Sequence, residues 1–403
     1  MDPWHIPALQ HTSHMWHIAE EAPVSRSRRS RGNGPYESAV PITLSDLTLD
    51  VPAPLMALIE DASVALAQFD GIAAHHLGGQ IHTLGPMSAV LLRTEATSSS
   101  QIEHLTVGAK NLAMELLHKG NSENAAVVVG NVRAMESALR LSADLNVENL
   151  LSMHKALLSS QPGWERYAGA FRTQLVWVGT DSYTPRGASF VGPQPELIDA
   201  CMADLVLFLQ RDDIPVLLQC ALAHAQFETI HPFADGNGRT GRALIHAILR
   251  NKGLASHIVP PVSAGLLHET DQYFAALTAF REGDAAPLVS VFTQACQFAA
   301  SSGTELITQL EAQLAHTKQL LAGVRRDAAV WRVVPHLAAQ PIINSQYLQS
   351  AVGLTKPQAE RALKTLARVG ALTARNSAKR NVVWEHRGIL DVLDAYAAGL
   401  RRQ

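Results

Sequence analysis

The chain has 403 residues, enough for two or three compact units with a sizeable core and no need of disulfides. Its 47% hydrophobic and 17% charged content fits a soluble globular protein, and 5% aromatics favours aliphatic helix-on-helix packing over a β-rich core. A net charge of −3 excludes a global nucleic-acid footprint, so any basic surface must be local. Cys201, Cys220 and Cys296 are odd in number and lack metal-ligand spacing, which predicts core thiols in a reducing compartment. No stretch approaches the ~20 apolar residues that span a bilayer. The expectation is a cytoplasmic protein without membrane contact.

Residues 1–43 carry His5, His11, His14 and His17, then a Ser/Arg/Gly stretch with little to bury, and read as a disordered, solvated tail. From Leu44 onward apolar residues recur at helical spacing. His154 lies on one such stripe, with Leu150, Leu151, Leu157 and Leu158, and reads as a hydrogen-bonded core histidine. The one β-like interruption runs over 171–191: Thr173, Val176, Trp177 and Val178 favour extended backbone, and Phe190 and Val191 supply a return strand. A long helix is expected over 304–324. Beyond it come a short helix at 345–351, a turn at Gly353, a helix opened by a Thr355/Gln358 capping box and closed by Gly370, and a small hairpin over 372–384. Residues 356–403 hold ten Lys/Arg against four acids, a local charge of +6. The linear division predicted is a tail (1–43), an N-terminal helical region (44–120), a core (121–303), a linker helix (304–325) and a C-terminal unit (326–403).

The chemistry concentrates in residues 231–242, His-Pro-Phe-Ala-Asp-Gly-Asn-Gly-Arg-Thr-Gly-Arg, which join two helical runs. Gly236 and Gly238 fall where the second helix begins, and the unpaired N–H groups there make an anion cradle. Arg239 and Arg242 are three apart, hence on one face, and can grip adjacent phosphates. Asp235 offers the hard oxygen that Mg²⁺ or Mn²⁺ prefers, and His231 an imidazole suited to taking a proton at neutral pH. A rival grouping of His224, Glu228 and His231 as a zinc site leaves both glycines and both arginines unexplained.

This segment resembles the Fic signature, His-x-Phe-x-Asp/Glu-Gly-Asn-Gly-Arg-x-x-Arg, at every fixed position. The resemblance implies a mainly α fold: a Fic-type helical core with a small β-hairpin flap, followed by a winged helix-turn-helix unit as in several bacterial relatives. It implies a protein adenylyltransferase that moves AMP from ATP to a Ser, Thr or Tyr hydroxyl of a target protein or of itself. His231 would be the base, Asp235 the metal ligand, Gly236, Asn237 and Gly238 the phosphate hole, and Arg239 and Arg242 the holders of the outer phosphates. Ala188, Ser189, Phe190 and Val191 resemble the flap strand that pairs with an extended target segment. Ser99 and Glu103 match the family's inhibitory Ser-x-x-x-Glu, whose glutamate occupies the second arginine; His104 stands where Gly or Asn is usual. Removal of AMP is a same-fold alternative. A different class of reading is a DNA-binding regulator with a Fic scaffold, contacting DNA through Lys356, Arg375, Lys379 and Arg380. The target protein and a homo-oligomeric state stay open.

Overall fold

The structure, a computed structural model, describes residues 3–76, 85–159, 161, 163–375 and 382–400. It is mainly α, with short two- and three-stranded sheets. The chain divides into two compact units that are discontinuous in sequence. Among the described residues no helix is long and apolar enough to cross a membrane.

The first unit comprises residues 1–63, 134–254 and 269–294. Its centre is an antiparallel helix pair, Val216–Ile230 and Asn237–Asn251, in which nearly every side chain is buried. Burial on every face places this pair in the middle of the core, and Asn237–Asn251 carries Arg239, Thr240, Arg242 and His246 into it. Gly241 lets the two helices approach: a Cβ there would lie 3.0 Å from both Glu228 Oε1 and the Phe227 ring. Val147–Leu158 packs beside them, opened by Asn146, whose side chain accepts from the backbone of Asn149.

Residues 10–40 correct the expectation of a disordered tail. Gln10–Trp16 and Gly34–Val40 pair antiparallel, with Gln10 opposite Val40 and Trp16 opposite Gly34. Ser25 caps the short helix Arg26–Gly32 between them. The polar composition hid this because the hairpin buries little by itself. It is fixed to other parts of its unit: Trp4 and Ile6 join the backbone near Gly283 and Ala285, and Trp16 stands edge-on to Trp177 at 5.2 Å.

The second unit comprises residues 64–133, 255–268 and 295–403. The helix expected over 304–324 is instead Ala286–Leu320, 35 residues long. Gly303 lies inside this helix and serves close packing: a Cβ there would run into the Phe69 ring. The C-terminal elements follow the expected order. Ser345–Val352 ends at left-handed Gly353, and the Thr355/Gln358 capping box opens Lys356–Arg368. Strand Trp384–Glu385 lies between Ile342–Ile343 and Thr373–Ala374.

Amides across the 10–40 register are expected to exchange with deuterium at least ~100-fold more slowly than those of a disordered tail. Hydrogen-exchange mass spectrometry that found them unprotected would contradict this hairpin.

Candidate active site

The site begins with a helix that stops abruptly. Val216–Ile230 ends at His231, which takes the left-handed conformation with φ 49° and donates its N–H to Phe227 O. A side-chain-bearing residue pays about 1 kcal/mol or more for that conformation, so the surroundings must hold it there. Arg172 does so. Its Nε donates to His231 O at 2.8 Å, Nη1 to Gln174 O at 2.8 Å and Nη2 to Pro193 O at 2.8 Å, while its own N–H reaches Pro232 O. This guanidinium is 4% exposed, and burial pulls its pKa down to about 10, still charged at neutral pH. One buried cation therefore ties the end of the helix to both ends of the flap.

The loop after His231 rests on a polar floor. Asn237 Oδ1 accepts from Phe233 N, and its Nδ2 donates to Phe233 O, each at 2.8 Å. Phe233 stacks on His154 with centroids 3.6 Å apart. His154 Nδ1 accepts from Gly169 N at 3.0 Å, which leaves Nε2 to carry the proton and donate to Asp235 O at 3.0 Å. Burial lowers this imidazole to a pKa of about 4, so it is neutral and structural, as its place on an apolar stripe predicted. Gly236, with φ 78°, is the N-cap of Asn237–Asn251, and a Cβ there would press on Leu157 at 2.7 Å. Here glycine is required twice, by conformation and by space.

The charged layer stands on this floor. Arg239 and Arg242 share the first turns of Asn237–Asn251, and each is only 2% exposed. Arg239 Nη2 donates to Asp235 Oδ2 at 2.9 Å, and the Asp235 carboxylate keeps one third of its surface in solvent. His231 stays 27% exposed by side chain, with Nδ1 3.9 Å from Glu228 Oε2. Two guanidinium groups at a helix N-terminus beside a solvent-reachable imidazole suit an anion of several phosphates.

The Asn237 side chain is engaged in bracing the loop, which leaves its expected place in the phosphate hole to its backbone N–H. The zinc grouping has no site: His224 is buried, its Nε2 pairs with Tyr273 Oη at 2.8 Å, and burial lowers it to a pKa of about 3. Among the described residues no three His, Cys, Asp or Glu gather around a metal position.

The flap is present as Trp177–Val178 paired with Phe190–Val191. Ala188 and Ser189 lie in its turn, where Ser189 N donates to Val178 O at 2.8 Å. Arg281 lies over the Phe190 ring at 3.8 Å and donates to Glu228 O at 3.2 Å, fixing the second flap strand to the last turn before His231. Arg172 and Arg281 were not found by sequence reasoning. Each is a lone arginine without a spacing signal, and its partners are backbone carbonyls or a ring from distant segments.

Ser99 and Glu103 belong to the second unit. Pro86–Ile102 ends with Glu103 as its C-cap rather than inside the helix. His104 takes φ 64°, its N–H donates to Gln101 O, and Leu105 N donates to Ser100 O. That is a Schellman ending. Its left-handed position is the one where Gly or Asn is usual, so the histidine keeps the helix end intact at some cost in strain. Ser99 is buried. Glu95 on the same helix accepts from Ser263 N at 2.8 Å, and Asn131 Nδ2 donates to Ala96 O at 2.9 Å.

Among the candidate DNA contacts, Lys356 is exposed at the start of its helix, whereas Arg375 lies 3.6 Å from Glu385. Lys379 and Arg380 lie outside the described residues.

Comparison with known proteins agrees with this geometry. Residues 144–249 match the model of the Fic/DOC family. Protein adenylyltransferase fic-1 of Caenorhabditis briggsae is 30% identical over 149 residues, 36% of this chain and 26% of that protein. Protein adenylyltransferase Fic of Drosophila grimshawi is 28% identical over 262 residues, 60% of this chain and 45% of that protein. The chain thus spans less than half the length of these curated relatives. The crystal structure of a Fic family protein from Desulfovibrio desulfuricans G20 superposes with a TM-score of 0.53 at 20% identity, covering 84% of this chain and 97% of that one, a likeness of fold. Residues 144–249, which include the loop from His231 to Arg242, are thus similar to the Fic/DOC family.

His154 gives the site an acid limit. Its folded pKa lies below the unfolded value near 6.5, so its contribution to stability is complete above pH 6.5 and is lost as the pH falls toward 4. Urea titrations at stepped pH should show a decline of up to about 3 kcal/mol across that window, and His154→Gln should flatten it. An unchanged slope in the variant would remove His154 from this role.

Proposed function

We propose that this chain is a protein adenylyltransferase, which transfers AMP from ATP to a side-chain hydroxyl of a protein. The observation that carries the proposal is the pair of buried guanidinium groups, Arg239 and Arg242, on the first turns of a helix capped by left-handed Gly236, with His231 exposed at the mouth of the same loop. The names of the relatives in Caenorhabditis and Drosophila support the same activity.

In this mechanism the triphosphate lies along the helix N-terminus. The backbone N–H groups of residues 236–238 face its inner phosphates, and Arg239 and Arg242 hold the outer two. His231 takes the proton of the target hydroxyl as its oxygen attacks the α-phosphorus. The bond from that phosphorus to the bridging oxygen breaks, and pyrophosphate leaves with its charge held by the arginines. A magnesium or manganese ion would be held through the hard, partly exposed carboxylate of Asp235. Such an ion, when bound, neutralises charge on the phosphates.

Glu103 restrains the enzyme by competing for Arg242. Its place at an ordered helix end, braced through Glu95 and Asn131, supports that role. For the C-terminal unit, the helix-turn-helix order and the exposed N-terminus of Lys356–Arg368 support a winged helix that meets DNA or another protein.

With α-labelled ATP, His231→Ala should lower transfer to protein by about 10²- to 10⁴-fold, the usual worth of a general base. Failure of both wild type and Glu103→Gly to label themselves or any protein would overturn the activity. Glu103→Gly should label at least ~10-fold faster than wild type, since it returns Arg242 to the nucleotide. Equal rates would end the restraint reading while leaving the transferase standing.

A further inference from the structure

The flap has a neighbour that its sequence does not announce. The N-terminal hairpin is bonded to the flap loop along its length. Trp16 Nε1 donates to Tyr183 O at 2.8 Å, Thr184 Oγ1 to Gly32 O at 2.7 Å, and Gln194 Nε2 to Tyr36 Oη at 3.1 Å. Arg186 Nη1 donates to Arg31 O and Asn33 O, and Arg28 pairs with Asp181 at 2.8 Å. The two hairpins nevertheless remain separate sheets, with no ladder between them.

Between them runs a groove. One wall is the second flap strand and its approach, residues 187–191; the facing wall is Pro35, Tyr36 and Glu37, with His11, Arg31 and Arg186 along the rim. In the flap register Gly192 N bonds Val176 O, so the neighbouring Val191 turns its N–H and C=O away from the first flap strand. Arg281 and Arg172 hold Phe190 and Pro193 to the helix end at Glu228 and His231, so a segment lying along this strand is within reach of the imidazole.

We propose that residues 10–40 form the second wall of the target-docking groove, and that the groove takes an extended segment of the modified protein with acidic side chains flanking the hydroxyl residue. The inference rests on the adenylyltransferase reading and goes beyond it by naming the chemistry of the partner. The charge argument is local. Arg31 and Arg186 line the groove, the second with Nη1 on the carbonyls of Arg31 and Asn33, and Glu37 is the one acid among the lining residues. Asp181, the nearby acid across the flap loop, is already matched by Arg28. Pro35 and Tyr36 supply a stiff, partly aromatic surface against which an extended chain can lie.

The test uses the full chain carrying Glu103→Gly, α-labelled ATP, and two short peptides that differ only in having glutamates or lysines around a single tyrosine. The acidic peptide should be labelled with a kcat/KM higher by about fivefold or more at low salt, and the preference should shrink as salt is raised. Arg31→Glu, at an exposed position, should level or invert the preference, and Glu37→Lys should enlarge it. Equal labelling, a preference for the basic peptide, a preference indifferent to both substitutions, or no labelling of either peptide by an enzyme that labels itself would each overturn the proposal. Loss of all transfer, self-labelling included, would instead overturn the adenylyltransferase reading beneath it.

Discussion

A buried guanidinium holds the centre of this structure. Arg172 reaches the carbonyls of His231, Gln174 and Pro193, three points that are remote in sequence and adjacent in space. A charge 4% exposed is costly to bury unless its N–H groups find partners, and here carbonyls supply them. What is gained is position: the left-handed turn that aims His231 out of its helix, and the flap, are fixed by the same group. An apolar side chain of similar size would leave several carbonyls without a donor and the helix end without its brace.

Beneath the loop lies a second set of polar contacts, each satisfied by a backbone group. Asn237 closes on both backbone groups of Phe233, and neutral His154 spans Gly169 and Asp235. These bonds rigidify backbone that would otherwise be a flexible six-residue connection, 231–236. The arginine layer above is thereby held on a rigid turn, an arrangement preorganised for anionic charge. Buried polar floor and buried charged ceiling are two consequences of one requirement, that a glycine-rich turn keep a single shape.

The site was legible in the sequence to the extent that its chemistry is local. Residues 231–242 are contiguous, so glycine placement, the i, i+3 arginines and the entering histidine could be read from spacing alone. His154 was legible as a core histidine because its apolar neighbours mark a helix face. Its partners were not, because Gly169 and Asp235 lie far along the chain. Residues 10–40 were misread for a related reason. A polar hairpin with few apolar positions resembles a solvated tail until Trp177, Tyr183 and Thr184 are placed against it. The helix expected over 304–324 begins earlier, at Ala286, and Gly303 lies inside it because the missing side chain leaves room for Phe69, a neighbour remote in sequence.

By itself the sequence determined the helical class, the glycine-rich turn between two helices, the two strands of the hairpin over 177–191 and the order of the C-terminal elements, since each depends on side chains a few residues apart and on backbone preferences that act locally. Tertiary structure alone decided which arginines brace the turn at His231, that the asparagine of the turn works on its own loop, and that the N-terminal segment folds against the hairpin over 177–191. Those outcomes depend on carbonyls and ring faces, which every residue or many residues offer, and so carry no mark in the sequence until folding brings them within hydrogen-bond distance.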